Sequence, residues 1–210
     1  MEISVRNSSA LVTDTERKNE SLRLGMWLFL ASETVLFGGM FCIYFVFRGW
    51  YFDAFKEASA ALNAGGSICL LSLIISSFAM ARALVNAKNN NTKWVAINVV
   101  IALICAGVVI ISRYFEYSAL IQNGMLWGSR FSAVGFEQDM VSVFFSIYFL
   151  TTGLHVLHVI IGTVMLTRLA NGAMNFKFTS ENYLSVQTTN MFWQLITLLW
   201  VFIYPFFYQM

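Results

Sequence analysis

Proline is almost missing from this chain: Pro205 is the only one in 210 residues, so little interrupts a long helix. Charge is scarce as well. Only 11% of residues are Asp, Glu, Lys or Arg, against about 25% in a typical soluble domain. With 58% of residues hydrophobic, that scarcity excludes an ordinary soluble domain and makes the chain an integral membrane protein. The net charge of +2 is small and scattered, which removes nucleic acid as a partner. Cys42, Cys69 and Cys105 lie in separate apolar runs without a C-x-x-C pair, so neither a disulfide framework nor a zinc site is indicated. Three buried free thiols are expected. Alternating ten-residue segments of the kind a membrane β-barrel requires are absent too.

What remains is apolar sequence in long runs. A helix needs about 20 residues to cross roughly 30 Å of hydrocarbon. Runs of that length occur at about 22–47, 66–84, 94–112, 140–167 and 186–208. The predicted fold is therefore all-α, a polytopic bundle of five transmembrane helices over 22–210. Residues 1–21 mix both charge signs with Ser, Thr and Asn, and the first apolar run is too long for a signal-peptide core. They read as a short, mobile, polar cytoplasmic tail.

Lysine and arginine set the expected orientation. The tail and the even-numbered loops hold Arg6, Arg17, Lys18, Arg23, Arg82, Lys88, Lys93, Arg168 and Lys177; the other side holds Arg48, Lys56, Arg113 and Arg130. Nine against four places the N-terminus in the cytoplasm and the C-terminus outside. Trp27, Trp50, Trp94 and Trp127 fall near the predicted interfaces. Small and polar stripes mark the inward faces: Ser72 and Ser76, Ala102 and Ala106, and Thr151, His155, His158 and Gly162.

Glu33 is the residue that most needs explaining. It lies ten residues after Arg23, about 15 Å along a helix and so close to the midplane. A charge there costs roughly 2.5–3.5 kcal/mol on the insertion scale. A proton site, a lipid-contact site, a polar lock between helices and a neutral carboxylic acid that fixes packing are all open readings. His155 and His158 are three apart and point the same way from one helix, whereas two axial haem ligands approach opposite faces of the iron. Hydrogen bonding within the bundle is the reading for both. Arg113 and Glu116, at the end of the third predicted span, are spaced to pair locally and to anchor at the interface. Arg168 and Lys177 are placed to meet lipid phosphates on the cytoplasmic leaflet. No Gly-rich phosphate loop and no nucleophile–base pair is apparent.

Several segments together resemble a known family. "GMWLFLASETVLFGGMFCIYF" resembles the helix of haem–copper oxidase subunit III that carries a buried glutamate, and Glu33 stands at that glutamate. "YFEYS" is similar to the family's glutamate–tyrosine pair and places Glu116. "TTGLHVLHVIIGTVML" follows the family's G-x-H-x-x-H-V-x-x-G segment, with Gly153, His155, His158, Val159 and Gly162 in register. "FWQLITLLWVFIY" is like the closing helix, with Trp193 and Trp200 seven apart. Two positions depart from the pattern: Gln194 replaces the usual histidine and Thr197 the usual aspartate. A proton-linked role for that pair is therefore not carried over. Longer members have seven spans, and with five in this sequence the first two are expected to be the missing ones.

The resemblance implies a short five-helix bacterial subunit III in the cytoplasmic membrane, most closely of a cytochrome c oxidase. Such a subunit has no redox centre of its own. Haem and copper reside in partner subunits; this one packs on catalytic subunit I and on the other oxidase subunits, within or outside a larger respiratory supercomplex. It holds phospholipid in a cleft and supports proton uptake and active-site integrity while the complex reduces oxygen. Glu33, His155 and His158 are the implied buried polar residues of that region. A quinol oxidase subunit III and an accessory protein of nitric oxide reductase are the alternatives inside the superfamily. A free-standing proton-coupled transporter using Glu33 is the alternative outside it.

Overall fold

The computed structural model describes residues 2–62, 64–126, 131–132, 140–174 and 183–209, with the backbone alone for 2–16, 18 and 19. Among the described residues six helices follow one another: α1 Glu2–Trp50, α2 Phe52–Ala60, α3 Gly65–Lys88, α4 Thr92–Gln122, α5 Val141–Met174 and α6 Leu184–Tyr208. Five stretches are long and apolar enough to cross a membrane: Glu20–Trp50, Gly65–Lys88, Thr92–Gln122, Val141–Met174 and Leu184–Tyr208. The expected all-α, five-span bundle is what the chain forms.

The chain divides into two units, Met1–Leu36 and Phe37–Met210. The first is a single helical stretch of α1. Helical backbone begins at Glu2, so the polar segment expected as a tail is a continuation of the first helix. No proline or glycine stands between residues 1 and 24 to stop it. The hydroxyls flanking Glu33 turn back onto their own helix: Ser32 donates to the Phe29 carbonyl and Thr34 to that of Leu30, both at 2.8 Å. Trp27, expected near an interface, is well exposed.

In the second unit, α3, α4, α5 and α6 form a closed ring in which each helix packs on two neighbours, α6 returning to α3. Close approach depends on small side chains. Ser76, Ala79, Ala83 and Ala87 of α3 and Ala102 and Ala106 of α4 are all buried. The end of α1 joins this unit through aromatic rings, Phe41 with Phe206 at 5.1 Å and Tyr44 with Phe207 at 4.8 Å between centroids. The Tyr44 hydroxyl donates to the Phe206 carbonyl.

Three expectations change. The third span does not end at Ser112 but continues to Gln122. Arg113 and Glu116 interrupt the apolar run without breaking the helix, because arginine and glutamate are both good helix formers. The first interhelical loop contains α2, whose Ala54, Phe55, Ala58 and Ser59 are buried on one face against α5 and α6. Of the three cysteines only Cys69 is buried, Cys105 being half-buried and Cys42 exposed. Trp50 and Trp94 are well exposed, while Trp127 lies outside the described residues.

The "NNN" stretch after α3 has a specific job. Asn90 takes a left-handed backbone with φ 56°. The Asn91 N–H then reaches the Asn86 carbonyl at 2.9 Å and the Asn90 N–H reaches that of Ala87 at 3.2 Å. This is the Schellman pattern, which satisfies carbonyls left over at a helix C-terminus.

Candidate functional site

Four residues converge where α4, α5 and α6 meet. Arg113 and Glu116 are three apart on α4, on the face turned into the bundle, with exposures of 1% and 3%. Arg113 Nη2 donates to Glu116 Oε2 at 2.5 Å. Its Nη1 donates to the Tyr148 hydroxyl at 3.2 Å and to that of Tyr208 at 2.8 Å. Both tyrosines in turn donate to Glu116 Oε1, Tyr148 at 2.5 Å. Each phenol is therefore a bridge from guanidinium to carboxylate, one contributed by α5 and one by α6. The Trp200 ring lies 4.8 Å from the guanidinium carbon and adds cation–π attraction.

A buried ion pair repays the loss of hydration only when geometry is good and the remaining polar atoms are satisfied. Here both carboxylate oxygens are, and two extra hydroxyls share the load. The pairing of Arg113 with Glu116 was legible from their spacing. Their expected place at a helix end was not correct, since α4 runs six residues past Glu116 and both side chains are enclosed. Glu116 is accordingly an enclosed acid within a membrane-length helix, a position that sequence alone indicates only for Glu33, in another helix. Gly65 of α3 closes over the pair: a Cβ there would run into the Glu116 carboxylate. Next to it an open cavity of about 420 Å³ lies between α3 and α4, its wall formed by Ile68, Val108 and Phe115 with Glu116.

About two and three turns beyond Tyr148 along α5 stand the histidines. His155 is fully buried, its Nε2–H donating to the Ile196 carbonyl of α6 at 3.0 Å, with its ring 4.8 Å from that of Trp200. His158 donates from Nδ1 to the Leu154 carbonyl at 2.8 Å and meets the Phe37 ring edge-on. The two thus take separate partners within the bundle. Among the described residues, no three His, Cys, Asp or Glu side chains gather as a metal site would require.

The two positions that depart from the family pattern belong to a ladder joining α6 to α3. Trp193 Nε1 donates to Ser76 Oγ at 2.8 Å, and Trp200 Nε1 to the Gly66 carbonyl at 3.2 Å. Between and beside these, Gln194 exchanges two bonds with Ser77: its Oε1 accepts from the hydroxyl at 2.5 Å and its Nε2 donates to the carbonyl at 3.1 Å. Thr197 donates to its own helix at Trp193, 3.1 Å, with the Leu73 carbonyl at 3.5 Å. An amide and a hydroxyl fulfil the cross-helix hydrogen bonding with no charge.

Glu33 belongs to the first unit and is neither fully buried nor exposed. Arg168, near the end of α5, is exposed; Lys177 lies outside the described residues. Tyr148, Tyr208 and Ser77 were not among the residues singled out by sequence. A signal for Tyr148 was present: continuing the α5 stripe backwards from His155 by one turn reaches Thr151 and Thr152, and by two turns Tyr148.

The family model described as cytochrome c oxidase subunit III matches residues 63–210, which takes in α3 to α6 and every residue of the buried cluster and the ladder. Among curated relatives, the heme-copper oxidase subunit I+III of Aeropyrum pernix is 26% identical over 201 residues, covering 90% of this chain and 23% of its own length. The cytochrome c oxidase subunit 3 of Corynebacterium diphtheriae is 27% identical, covering 85% of this chain and 82% of that protein. The quinol oxidase subunit 3 of Bacillus subtilis is 24% identical, covering 89% and 86%. With the buried motifs and more than two-thirds of its length matched, the chain is a multi-pass membrane protein belonging to the haem–copper oxidase subunit III family.

Proposed function

We propose that this chain is the accessory, non-redox subunit III of a terminal oxidase in a bacterial cytoplasmic membrane, with its N-terminus in the cytoplasm. In this reading it packs on the catalytic subunit I, which holds haem and copper together with the other subunits. It retains phospholipid and sustains proton uptake and active-site integrity. The observation that carries the reading is the family match over α3–α6. A relative whose name joins subunits I and III in one protein supports the choice of subunit I as partner. Cytochrome c is the favoured electron donor of the complex. Quinol is the second reading, favoured by the Bacillus subtilis relative.

The roles of single residues follow the same reading. Glu33 is the polar residue of the lipid-retaining region. His155 and His158 hold the bundle together around α5, and Arg168 and Lys177 meet lipid phosphates. The test is a mild-detergent purification through a C-terminal tag, with a reduced-minus-oxidised absorption spectrum of the eluate. Haem bands that travel with larger membrane subunits are the expected result, and oxidation assays with cytochrome c and quinol then separate the two donors. A single chain without haem, from cells that express terminal oxidases, would overturn the reading.

A further inference from the structure

The interior of the ring holds more hydrogen-bonding capacity than its own side chains use. Thr151 Oγ1 and His155 Nδ1 are buried and have no hydrogen-bond partner among the described residues. Both residues are at most 1% exposed. They lie four apart on α5, one turn above the other on the same face.

The proton positions follow from the surroundings. His155 Nε2 faces the Ile196 carbonyl, which can only accept, so that nitrogen carries the proton. Nδ1 is then a bare lone pair seeking a donor. Thr151 has an obvious local outlet, the carbonyl four residues before it. Thr152, Thr163 and Thr167 of the same helix all use that outlet, at 2.6, 2.7 and 2.8 Å. Thr151 does not.

Leaving two such atoms unsatisfied inside a protein incurs the full desolvation penalty of each group, and buried polar atoms nearly always find a partner in protein or in ordered water. We infer that Thr151 and His155 form a binding site for an internal water molecule, enclosed by α5 and α6. Side chains at i and i+4 are about 5–6 Å apart at Cβ, and a water making two bonds of about 2.8 Å bridges that gap. The water donates one proton to His155 Nδ1 and meets Thr151 Oγ1 with its remaining capacity. A third orphan stands nearby: Arg113 Nε is buried without a partner among the described residues, and its guanidinium shares the Trp200 ring with His155. The site thereby adjoins the Arg113–Glu116 cluster and gives α5 a polar seam running from Tyr148 to His155.

The test is water-edited solid-state NMR of the full chain in lipid bilayers, with ¹⁵N-labelled histidine. The His155→Gln and His158→Gln variants assign the two rings. Magnetisation transfer from water to the His155 Nδ1 resonance is expected in the wild-type chain despite complete burial. It should fall severalfold in Thr151→Val and persist in Thr151→Ser, which keeps the hydroxyl. Absence of transfer in the wild-type chain would overturn the site, and so would transfer unchanged in Thr151→Val. Because the wild-type spectrum is decisive by itself, poor folding of a variant does not remove the test.

Discussion

Gly162 of α5 and Trp193 of α6 are packed so closely that a Cβ at position 162 would stand 2.8 Å from both Cε3 and Cζ3 of the indole. The indole cannot retreat. It is fully buried, and its Nε1–H is held by Ser76 on the far side. A single methyl group at 162 therefore pushes on α5, α6 and α3 at once.

Gly162→Ala is expected to destabilise the bundle by about 1–3 kcal/mol, the usual cost of overpacking. Unfolding by SDS in mixed micelles would measure it. Gly153→Ala is the control, since nothing lies within 4 Å of a Cβ there. Equal losses at the two glycines would show that steric contact with Trp193 is not the cause.

Removing Arg113 alone, as Arg113→Met, leaves the Glu116 carboxylate enclosed without its cation. The expected loss is about 3–5 kcal/mol. The double change Arg113→Met with Glu116→Leu should recover part of it, because no charge is then stranded. Simple additivity in the same unfolding assay would contradict the coupling described for this pair.

Gln194→Leu removes both bonds to Ser77, whereas Thr197→Val removes a hydroxyl whose nearer acceptor is on its own helix. Interhelical hydrogen bonds in membranes average about 0.6 kcal/mol with a maximum near 1.7. Gln194→Leu should approach the upper figure and Thr197→Val should fall at or below the average. The reverse order would mean that Thr197, through Leu73, is the stronger tie.

Glu33→Ala is expected to leave haem content of the purified complex intact while lowering sustained turnover or the amount of retained lipid. Glu33→Gln keeps shape and hydrogen bonding. It should behave like wild type if the side chain is structural and should not if a proton is exchanged there. Full activity of Glu33→Ala over many turnovers, with unchanged lipid, would dismiss the role proposed for this residue.

Asn90→Gly should raise stability by a few tenths to about 1 kcal/mol, since glycine adopts a positive φ without steric cost. Asn90→Val should lower it. A thermal melt of the three proteins would rank them, and no difference would show that the left-handed turn after α3 bears little of the load.

The number of spans and their rough places were legible because length and apolarity depend on neighbours in the chain. The limits of α4 were not: Arg113 and Glu116 look like the end of an apolar run until Tyr148 and Tyr208 are brought beside them from 35 and 95 residues away. Local spacing announced the ion pair and the histidine stripe. It was silent on the partners, because Ser77 meets Gln194, and Ser76 meets Trp193, across 117 residues. The short helix α2 was hidden for a related reason. Its apolar face is too brief to cross a membrane and becomes meaningful only against α5 and α6.

The ladder between α3 and α6 also bears on how the protein is made. During synthesis α3, α4 and α5 enter the membrane before α6 exists to meet them. Until then Ser76, Ser77 and the Gly66 carbonyl line an incomplete wall, and the Arg113–Glu116 pair lacks one of its two phenols. Insertion of α6 supplies Trp193, Gln194, Trp200 and Tyr208 in one step. The arrival of α6 thus acts as a latch that closes the ring of α3 to α6.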